Sequence, residues 1–197
     1  MRWFVFAIAA FIMLSLDQGL RVLLRIPGSD GVAPSFMLVL AVFVMISAPR
    51  RTAFWAALTC GLLVDLSLPR SAGQATDFAL IGPMALGYLA GAAVTVELRG
   101  LIFRDSPVAF GALVLIAGTF VHLVAVALLT LRGLPYPAFI DAINGWSAAD
   151  ELVRRFFELL YSAVLAVPLG LLLIWSDRFW AFGPQTTGPS SRARRLS

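Results

Sequence analysis

The stretch Ser47–Leu68, SAPRRTAFWAALTCGLLVDLSL, decides the fold of this chain. A Pro-Arg-Arg corner opens it, and the mostly apolar run Thr52–Leu68 follows. At a rise of about 1.5 Å per residue, this run is about 25 Å long, close to the roughly 30 Å hydrocarbon core of a bilayer. The stretch therefore predicts a short membrane-spanning helix.

Charged residues mark both ends of this helix. Arg50 and Arg51 suit the cytoplasmic side, whereas Asp65 lies about 20 Å farther along the axis, near the opposite interface. A carboxylate at that depth needs a partner, a water-filled recess or a neighbouring chain. Gly61, one turn before Asp65 on the same face, permits close approach of another helix. We expect both to face protein; the alternative is that Asp65 reaches interfacial water and Gly61 is incidental.

The composition indicates the class of protein. Hydrophobic residues make up 60% and charged residues 13% of the 197 residues, and the mean hydropathy is +0.90. Soluble domains carry about 25% charged residues, so these values predict an integral membrane protein. All 15 basic residues are arginine and the net charge is +4. This excess indicates membrane orientation and contact with anionic lipid, and no nucleic acid partner is expected.

Hydropathy predicts an all-α integral membrane protein with six transmembrane helices. A short amphipathic helix, Pro137–Ser147, is expected on the outer surface because its apolar residues form one stripe. A single transmembrane domain thus covers residues 1–182, and a disordered cytoplasmic tail follows at 183–197. The predicted spans are Trp3–Leu24, Ala33–Ala48, Thr52–Leu68, Asp77–Val96, Pro107–Leu131 and Leu152–Trp175.

The arginine distribution predicts the orientation. With both termini in the cytoplasm, nine arginines lie in cytoplasmic segments and six in outer segments. The chain is therefore expected to be a multi-pass protein of the bacterial inner membrane, with its tail arginines against anionic lipid. Among the outer arginines, Arg154 is spaced to form an i,i+4 ion pair with Glu158.

Ionisable residues from four predicted spans reach a similar depth in the outer third of the membrane. This placement predicts either a recess open to the outside or a docking surface for another protein. The alternative is that each residue merely caps its helix near the interface. The four residues are Asp17, Asp65, His122 and Glu158.

The sequence gives little support for catalysis or metal binding. It has no HExxH, GxSxG or phosphate-cradling glycine pattern, and one histidine and no lysine leave few general bases. We interpret His122 as a hydrogen-bonded packing residue and Cys60 as a buried, unreactive thiol. No enzymatic activity, cofactor or metal is therefore expected.

Three segments, in this order and spacing, are informative about the family. They are Ala33-Pro34-Ser35 at the start of a span, the Ser47–Arg51 corner, and Gly61-Leu62-Leu63-Val64-Asp65-Leu66 at the end of the next span. Together they resemble MreD, the rod-shape-determining membrane protein family of bacteria. The likeness extends more weakly over most of Ala33–Trp175.

The resemblance implies a non-catalytic scaffold of the cell-elongation machinery. It would bind an MreC-like membrane-anchored protein and help to organise a cell-wall synthase complex, a SEDS glycosyltransferase with its transpeptidase, around MreB filaments. We expect the MreC-like protein to bind at the outer polar cluster, which consists of Asp17, Asp65, His122 and Glu158, and at the Gly61/Asp65 face. The candidate partner-binding residues are Gly61, Asp65, Asp17, His122, Glu158, Pro34 and Arg51.

The chain departs from the family pattern at several positions. Ser35 stands where Asp or Asn is frequent, His122 stands near a frequent acidic residue, and the loop from Pro69 to Asp77 is longer than usual. MreD is also similar in architecture to the six-helix substrate-binding subunits of energy-coupling-factor vitamin transporters. The second hypothesis is therefore a substrate-binding membrane subunit, whose polar cluster would line a pocket of about 300–1,000 Å³.

Overall fold

A computed structural model describes residues 2–20, 23–24, 32–67, 70–72, 76–78, 81–100, 106–133 and 148–180. The helices in these ranges are α1 (Trp3–Gly19), α2 (Phe36–Ser47), α3 (Arg50–Ser67), α4 (Pro83–Leu98), α5 (Pro107–Gly133) and α6 (Ala148–Trp180). The short strands β1 (Arg70–Ala72) and β2 (Thr76–Phe78) pair antiparallel between α3 and α4. The predicted helical class is confirmed, with this hairpin as an addition.

Helix α2 forms the centre of the bundle. Its residues from Phe36 to Met45 are all buried, and it contacts each of the other five helices. A helix that is apolar on every side is stable only when it is surrounded. Helices α3, α4, α5 and α6 pack in chain order around α2, whereas α1 contacts mainly α2 and only slightly α3 and α6.

Glycines allow the surrounding helices to approach one another closely. A Cβ atom added at Gly61 would lie 2.5 Å from the Cα atom of Ala85, and one added at Gly87 would lie 2.5 Å from the carbonyl oxygen of Val121. Both distances are shorter than real contacts, so only glycine fits at these positions. The α3–α4 and α4–α5 contacts are therefore backbone-to-backbone packing of the kind found between membrane helices.

The charged side chains that the structure describes lie in two layers at opposite ends of the bundle. The lower charged layer comprises Arg2, Arg50, Arg51, Glu97 and Arg99, and the upper charged layer comprises Asp17, Asp65, Asp150, Glu151, Arg154, Arg155 and Glu158. Arg2 and Asp17 are 15 positions apart, as are Arg50 and Asp65, which is about 22 Å along a helix axis. In α1–α4 the described residues between the layers carry no charge.

The described ends of the chain meet at the lower charged layer. The backbone N–H of Arg2 donates to the carbonyl oxygen of Trp180 at 3.0 Å. The indole ring of Trp180 also packs edge-on against Phe43 of α2, with ring centroids 5.4 Å apart. The start of α1 and the end of α6 therefore lie on the same side of the bundle.

Two of the helices meet the length and hydropathy of a membrane span. These are α5, over Pro107–Leu131, and α6, over Ala149–Ser176. The other apolar helices are shorter: α1, α2 and α4 contain 17, 12 and 16 residues. Length and hydropathy alone thus identify two candidate spans among the described residues, and not the six that were predicted.

Several predicted boundaries were wrong. The fourth helix begins at Pro83 and not at Asp77, because Gly82 adopts φ +129°, which L side chains avoid, and Pro83 then occupies the first helical turn. Asp77 lies in β2 instead. The first helix ends at Gly19 and not at Leu24.

The remaining boundary differences are smaller. The third helix begins at Arg50, and the last one extends over Ala148–Trp180. The predicted outer amphipathic helix at Pro137–Ser147 and the predicted tail at 183–197 lie outside the described residues.

Candidate functional site

Asp17 at the end of α1 caps the start of α2. Its two carboxylate oxygens accept hydrogen bonds from the backbone N–H groups of Phe36 and Met37, at 2.6 and 3.0 Å. Ser35 serves as the N-cap residue, and its hydroxyl oxygen accepts from the N–H of Leu38 at 3.3 Å. A negative charge at a helix N-terminus is favourable because the N–H groups and the helix dipole both attract it. Asp17 therefore stabilises the α1–α2 junction.

Asp65 near the end of α3 caps α4 in the same way. Its carboxylate accepts from the N–H groups of Gly82, Met84 and Ala85 at 2.9, 3.2 and 3.1 Å. The side chain is only 4% exposed. One turn earlier, Gly61 lies against the backbone of Ala85. Three charge-assisted hydrogen bonds and close backbone packing thus join α3 to α4.

This geometry settles what the Gly61/Asp65 face contacts. The expectation that Gly61 and Asp65 face protein is confirmed. The protein that they face is α4 of the same chain, so α4 occupies the face on which we expected an MreC-like protein to dock. Since the backbone of α4 fills the space, a second chain has no access to it.

Arg155 of α6 connects three helices in the upper charged layer. Its Nε donates to Glu151 Oε1 at 2.7 Å, and its Nη1 lies 3.2 Å from Nδ1 of His122 on α5. The same Nη1 lies 4.0 Å from the sulfur of Met84 on α4. Arg155 is only 4% exposed. The guanidinium is therefore a buried cation that joins α4, α5 and α6.

Arg154 forms the outer part of the same ion network. Its Nη2 donates to Glu151 Oε1 at 2.8 Å, and its Nη1 donates to Glu158 Oε1 at 3.1 Å. The predicted i,i+4 pair between Arg154 and Glu158 is thus confirmed. Glu151 accepts from both arginines, so the charges of the first turns of α6 are balanced largely within that helix.

A cavity of about 70 Å³ lies at the N-terminal end of α2. All six helices contribute to its lining, together with the segment that leads into α2. Its apolar floor includes Leu14, Leu38 and Val64. The polar residues of its lining are Asp17, Gln18, Ser35, Ser67, Tyr88, His122 and Glu158, and Pro34 lines it beside Ser35.

Comparison of this chain with protein-family models, curated proteins and solved structures finds no match.

The structure brings most of the candidate residues together. Asp17, Pro34, His122 and Glu158 line one cavity. Asp65 lies just beside it, since Asp65 bonds the N–H of Met84, which is a lining residue.

Arg51 and Gly61 lie elsewhere. Arg51 is exposed in the lower charged layer, at the opposite end of the bundle, and Gly61 is buried against α4. The site therefore contains residues of the outer polar cluster, and neither Arg51 nor Gly61 belongs to it.

Three residues of this site were not predicted from the sequence. Ser162 is buried; its Oγ donates to the Glu158 carbonyl oxygen at 2.7 Å and accepts from the Ser35 N–H at 2.8 Å. Tyr88 lines the cavity and Arg155 positions His122. One signal was available for Arg155, which is four residues after Glu151 and so on the same helix face. The sequence carries no comparable signal for Ser162 or Tyr88.

The cavity can take only a small polar group. Pockets for drug-sized or cofactor-sized molecules measure about 300–1,000 Å³, whereas a volume of about 70 Å³ admits a few water molecules or the end of one side chain. Within the described ranges, no group of three or more His, Cys, Asp or Glu side chains could hold a metal ion. The arrangement is therefore suited to hydrogen bonding with a small group.

Proposed function

We propose that this chain is a six-span protein of the bacterial inner membrane and a non-catalytic scaffold subunit of the MreD type. The charge-free band between the two charged layers supports the membrane setting, since its thickness of about 22 Å approaches that of a bilayer core. Long charged side chains at the edges of the band can reach several ångströms outward into the interfaces, which makes up part of the difference. The band passes through all six helices, including those too short to be recognised by length. It is slightly thinner than the usual hydrocarbon core, which a bilayer accommodates at modest cost.

The surface of the bundle supports the same proposal. Large apolar side chains are exposed around its perimeter, and in water such a surface would promote aggregation. In a bilayer these side chains contact lipid. Examples are Phe4 and Phe11 on α1, Trp55 on α3, and Val164 and Leu172 on α6.

The orientation proposed from the arginine count agrees with the two layers. The lower charged layer contains Arg2, Arg50, Arg51 and Arg99, whereas the upper layer has an excess of carboxylates. Short arginine-bearing segments remain preferentially in the cytoplasm. We therefore assign the lower charged layer, and with it both termini, to the cytoplasmic side.

The cavity volume is the observation that carries the choice of a scaffold over a transporter subunit. A vitamin-sized ligand needs several hundred cubic ångströms, and the cavity that the described residues enclose at the outer polar residues measures only about 70 Å³. The ionisable groups near the cavity also have structural partners within the chain, namely helix N-termini for Asp17 and Asp65 and an ion network for Arg155. Asp17, Asp65 and Arg155 therefore stabilise the fold.

The proposed partner is an MreC-like membrane-anchored protein, through which the chain would help to organise a cell-wall synthase complex and, indirectly, MreB. Because α4 covers the Gly61/Asp65 face, the partner has to use a face that the chain leaves exposed. Helix α1 is the best candidate, since it makes few contacts with α3 and α6 and exposes Phe4 and Phe11. The tail arginines, beyond the described residues, are proposed to contact anionic lipid.

Co-purification tests the proposal. The affinity-tagged chain is co-expressed with an MreC-like protein encoded in the same genome and extracted in a mild detergent, with an unrelated tagged six-span protein as the control. We expect the MreC-like protein to co-purify in a fixed ratio with this chain only. Absence of the complex from membranes that contain both proteins would overturn the scaffold proposal. Micromolar or tighter binding of a B vitamin to the purified chain would favour the transporter hypothesis instead.

A further inference from the structure

The neighbour of His122 fixes which of its ring nitrogens carries the proton. A guanidinium has five N–H donors and no acceptor, so Nδ1 of His122, 3.2 Å from Arg155 Nη1, has to accept. The ring is therefore neutral and carries its proton on Nε2. Arg155 itself is held by Glu151 at 2.7 Å and is almost completely buried, so this tautomer is built into the fold.

The resulting Nε2–H group is an available donor. Among the described residues, it has no hydrogen-bond acceptor. His122 lines the cavity at the N-terminal end of α2, and Glu158 lines it as well. Glu158 already accepts from Arg154, but a carboxylate can accept about four hydrogen bonds in all. The cavity therefore has a fixed donor on one helix and a carboxylate acceptor on another.

The chemistry of the lining favours an uncharged occupant that both donates and accepts hydrogen bonds. A cationic side chain offers donors only and would leave the His122 Nε2–H unsatisfied, and an anionic one would be repelled by Asp17 and Glu158. A side-chain carboxamide carries both functions, because its oxygen can accept from His122 while its NH₂ group donates to Glu158. Its size also suits a cavity of about 70 Å³.

We propose that this cavity is a socket for the carboxamide of one asparagine or glutamine on a partner's membrane helix lying along α1. The cavity lining includes Leu14, Asp17 and Gln18 of α1, and Phe11 and Ile12 are exposed on the same stretch. A helix packed there would present a side chain at the depth of Asp17, about 22 Å from the lower charged layer. The inference rests on the scaffold function and assigns the chemistry of the partner.

Model peptides test the socket. The full chain, carrying a donor fluorophore, is reconstituted in liposomes with single-span polyleucine peptides of about 22 residues carrying an acceptor. One peptide has asparagine at the depth of Asp17, a second has it at the matching depth of the other leaflet, and a third has none. Peptide-to-lipid ratios are kept below the onset of asparagine-driven peptide self-association.

We expect the first peptide to bind about three- to tenfold more tightly than the other two, the range measured for interhelical hydrogen bonds in membranes. Equal affinity of all three peptides would overturn the socket, as would an advantage that is independent of depth. Because the depth comparison uses the unmodified chain, it does not depend on whether a variant folds.

Two variants identify the donor. His122→Phe should abolish the advantage of the first peptide, whereas His122→Gln, whose amide can still donate, should retain most of it. An undiminished advantage in His122→Phe would overturn the role of His122. If an MreC-like protein co-purifies while the peptides show no preference, the socket fails and the scaffold function stands; loss of both would remove the scaffold function as well.

Discussion

Charged side chains from neighbouring helices satisfy the ends of α2 and α4. Asp17 and Asp65 bond the N-termini of α2 and α4, and Nη1 of Arg99 donates to the carbonyl oxygen of Ala48 at the C-terminus of α2, at 2.6 Å. Each charge has the sign that the helix dipole favours at that end. Buried helix termini have unsatisfied N–H or C=O groups, and a neighbouring helix supplies the missing partner.

The cap formed by Asp65 is expected to contribute strongly to stability. Asp65→Ala removes the acceptor of three N–H groups, which should lower the free energy of unfolding by about 2–4 kcal/mol. Unfolding in mixed micelles with increasing SDS, followed by circular dichroism, measures the change. The control is Glu97→Gln, which removes an exposed ion pair with Arg50 (3.3 Å) and should change stability by less than about 1 kcal/mol. Similar losses in both variants would contradict this interpretation of Asp65.

Arg154 and Arg155 offer a matched comparison of exposed and buried charge. The Arg155 side chain is 5% exposed and links its own helix to α4 and α5, whereas the Arg154 side chain is 29% exposed. Arg155→Gln should destabilise the protein by about 3–5 kcal/mol, because Glu151 and His122 lose a buried partner. Arg154→Gln should cost about 1 kcal/mol or less. The same SDS titration measures the unfolding free energy of both variants. Equal losses would show that Arg155 does not join the helices through a buried charge.

At the scale of the helices, local sequence patterns located the elements but not all of their ends. Apolar residues continue from Phe78 to Ile81, so hydropathy extended the fourth helix back to Asp77. The actual start at Pro83 depends on the positive φ of Gly82 and on Asp65, which lies on another helix. Because Asp65 lies 17 residues before Gly82, their interaction leaves no periodic pattern of apolar and polar residues in the sequence near residue 82.

The α3–α4 packing predicts the effect of a single methyl group. Gly61→Ala would place Cβ 2.5 Å from the Cα atom of Ala85, and because backbone cannot yield easily, we expect a loss of about 1–3 kcal/mol. Gly19→Ala is the control, since nothing lies within 4 Å of the added atom and alanine favours a helix. Thermal unfolding of both variants in detergent measures the difference. A tolerated Gly61→Ala would mean that α3 and α4 are farther apart than described.

For the whole molecule, composition and hydropathy were sufficient to predict the helical class, and depth along each helix was sufficient to predict that Asp17, His122 and Glu158 converge. Depth along a helix follows from sequence position, but the direction in which a side chain points around the axis depends on neighbours that one sequence does not reveal. The contact of Asp65 with α4 and the link through Arg155 were missed for that reason. The small cavity volume likewise depends on how all six helices pack.

The proposed orientation can be tested by cysteine labelling in intact cells. Cys60 is fully buried, so the natural chain should react poorly with a membrane-impermeant maleimide. In a Cys60→Ala background, Asp150→Cys should be labelled from outside, and Arg51→Cys only after the membrane is permeabilised. Labelling of Arg51→Cys in intact cells would invert the topology and move the cavity to the cytoplasmic side.

The burial of α2 has a consequence for biogenesis. At 12 residues, this helix is about 18 Å long and cannot cross a bilayer alone, yet it is synthesised before most of the helices that enclose it. The N–H of Ser35 acquires its acceptor, Ser162, only when the last helix has emerged from the ribosome. If the chain is inserted into a membrane as proposed, a nascent chain stalled after α3 would display an incompletely assembled hairpin to the insertion machinery, and truncated products should be rapid substrates for membrane proteases.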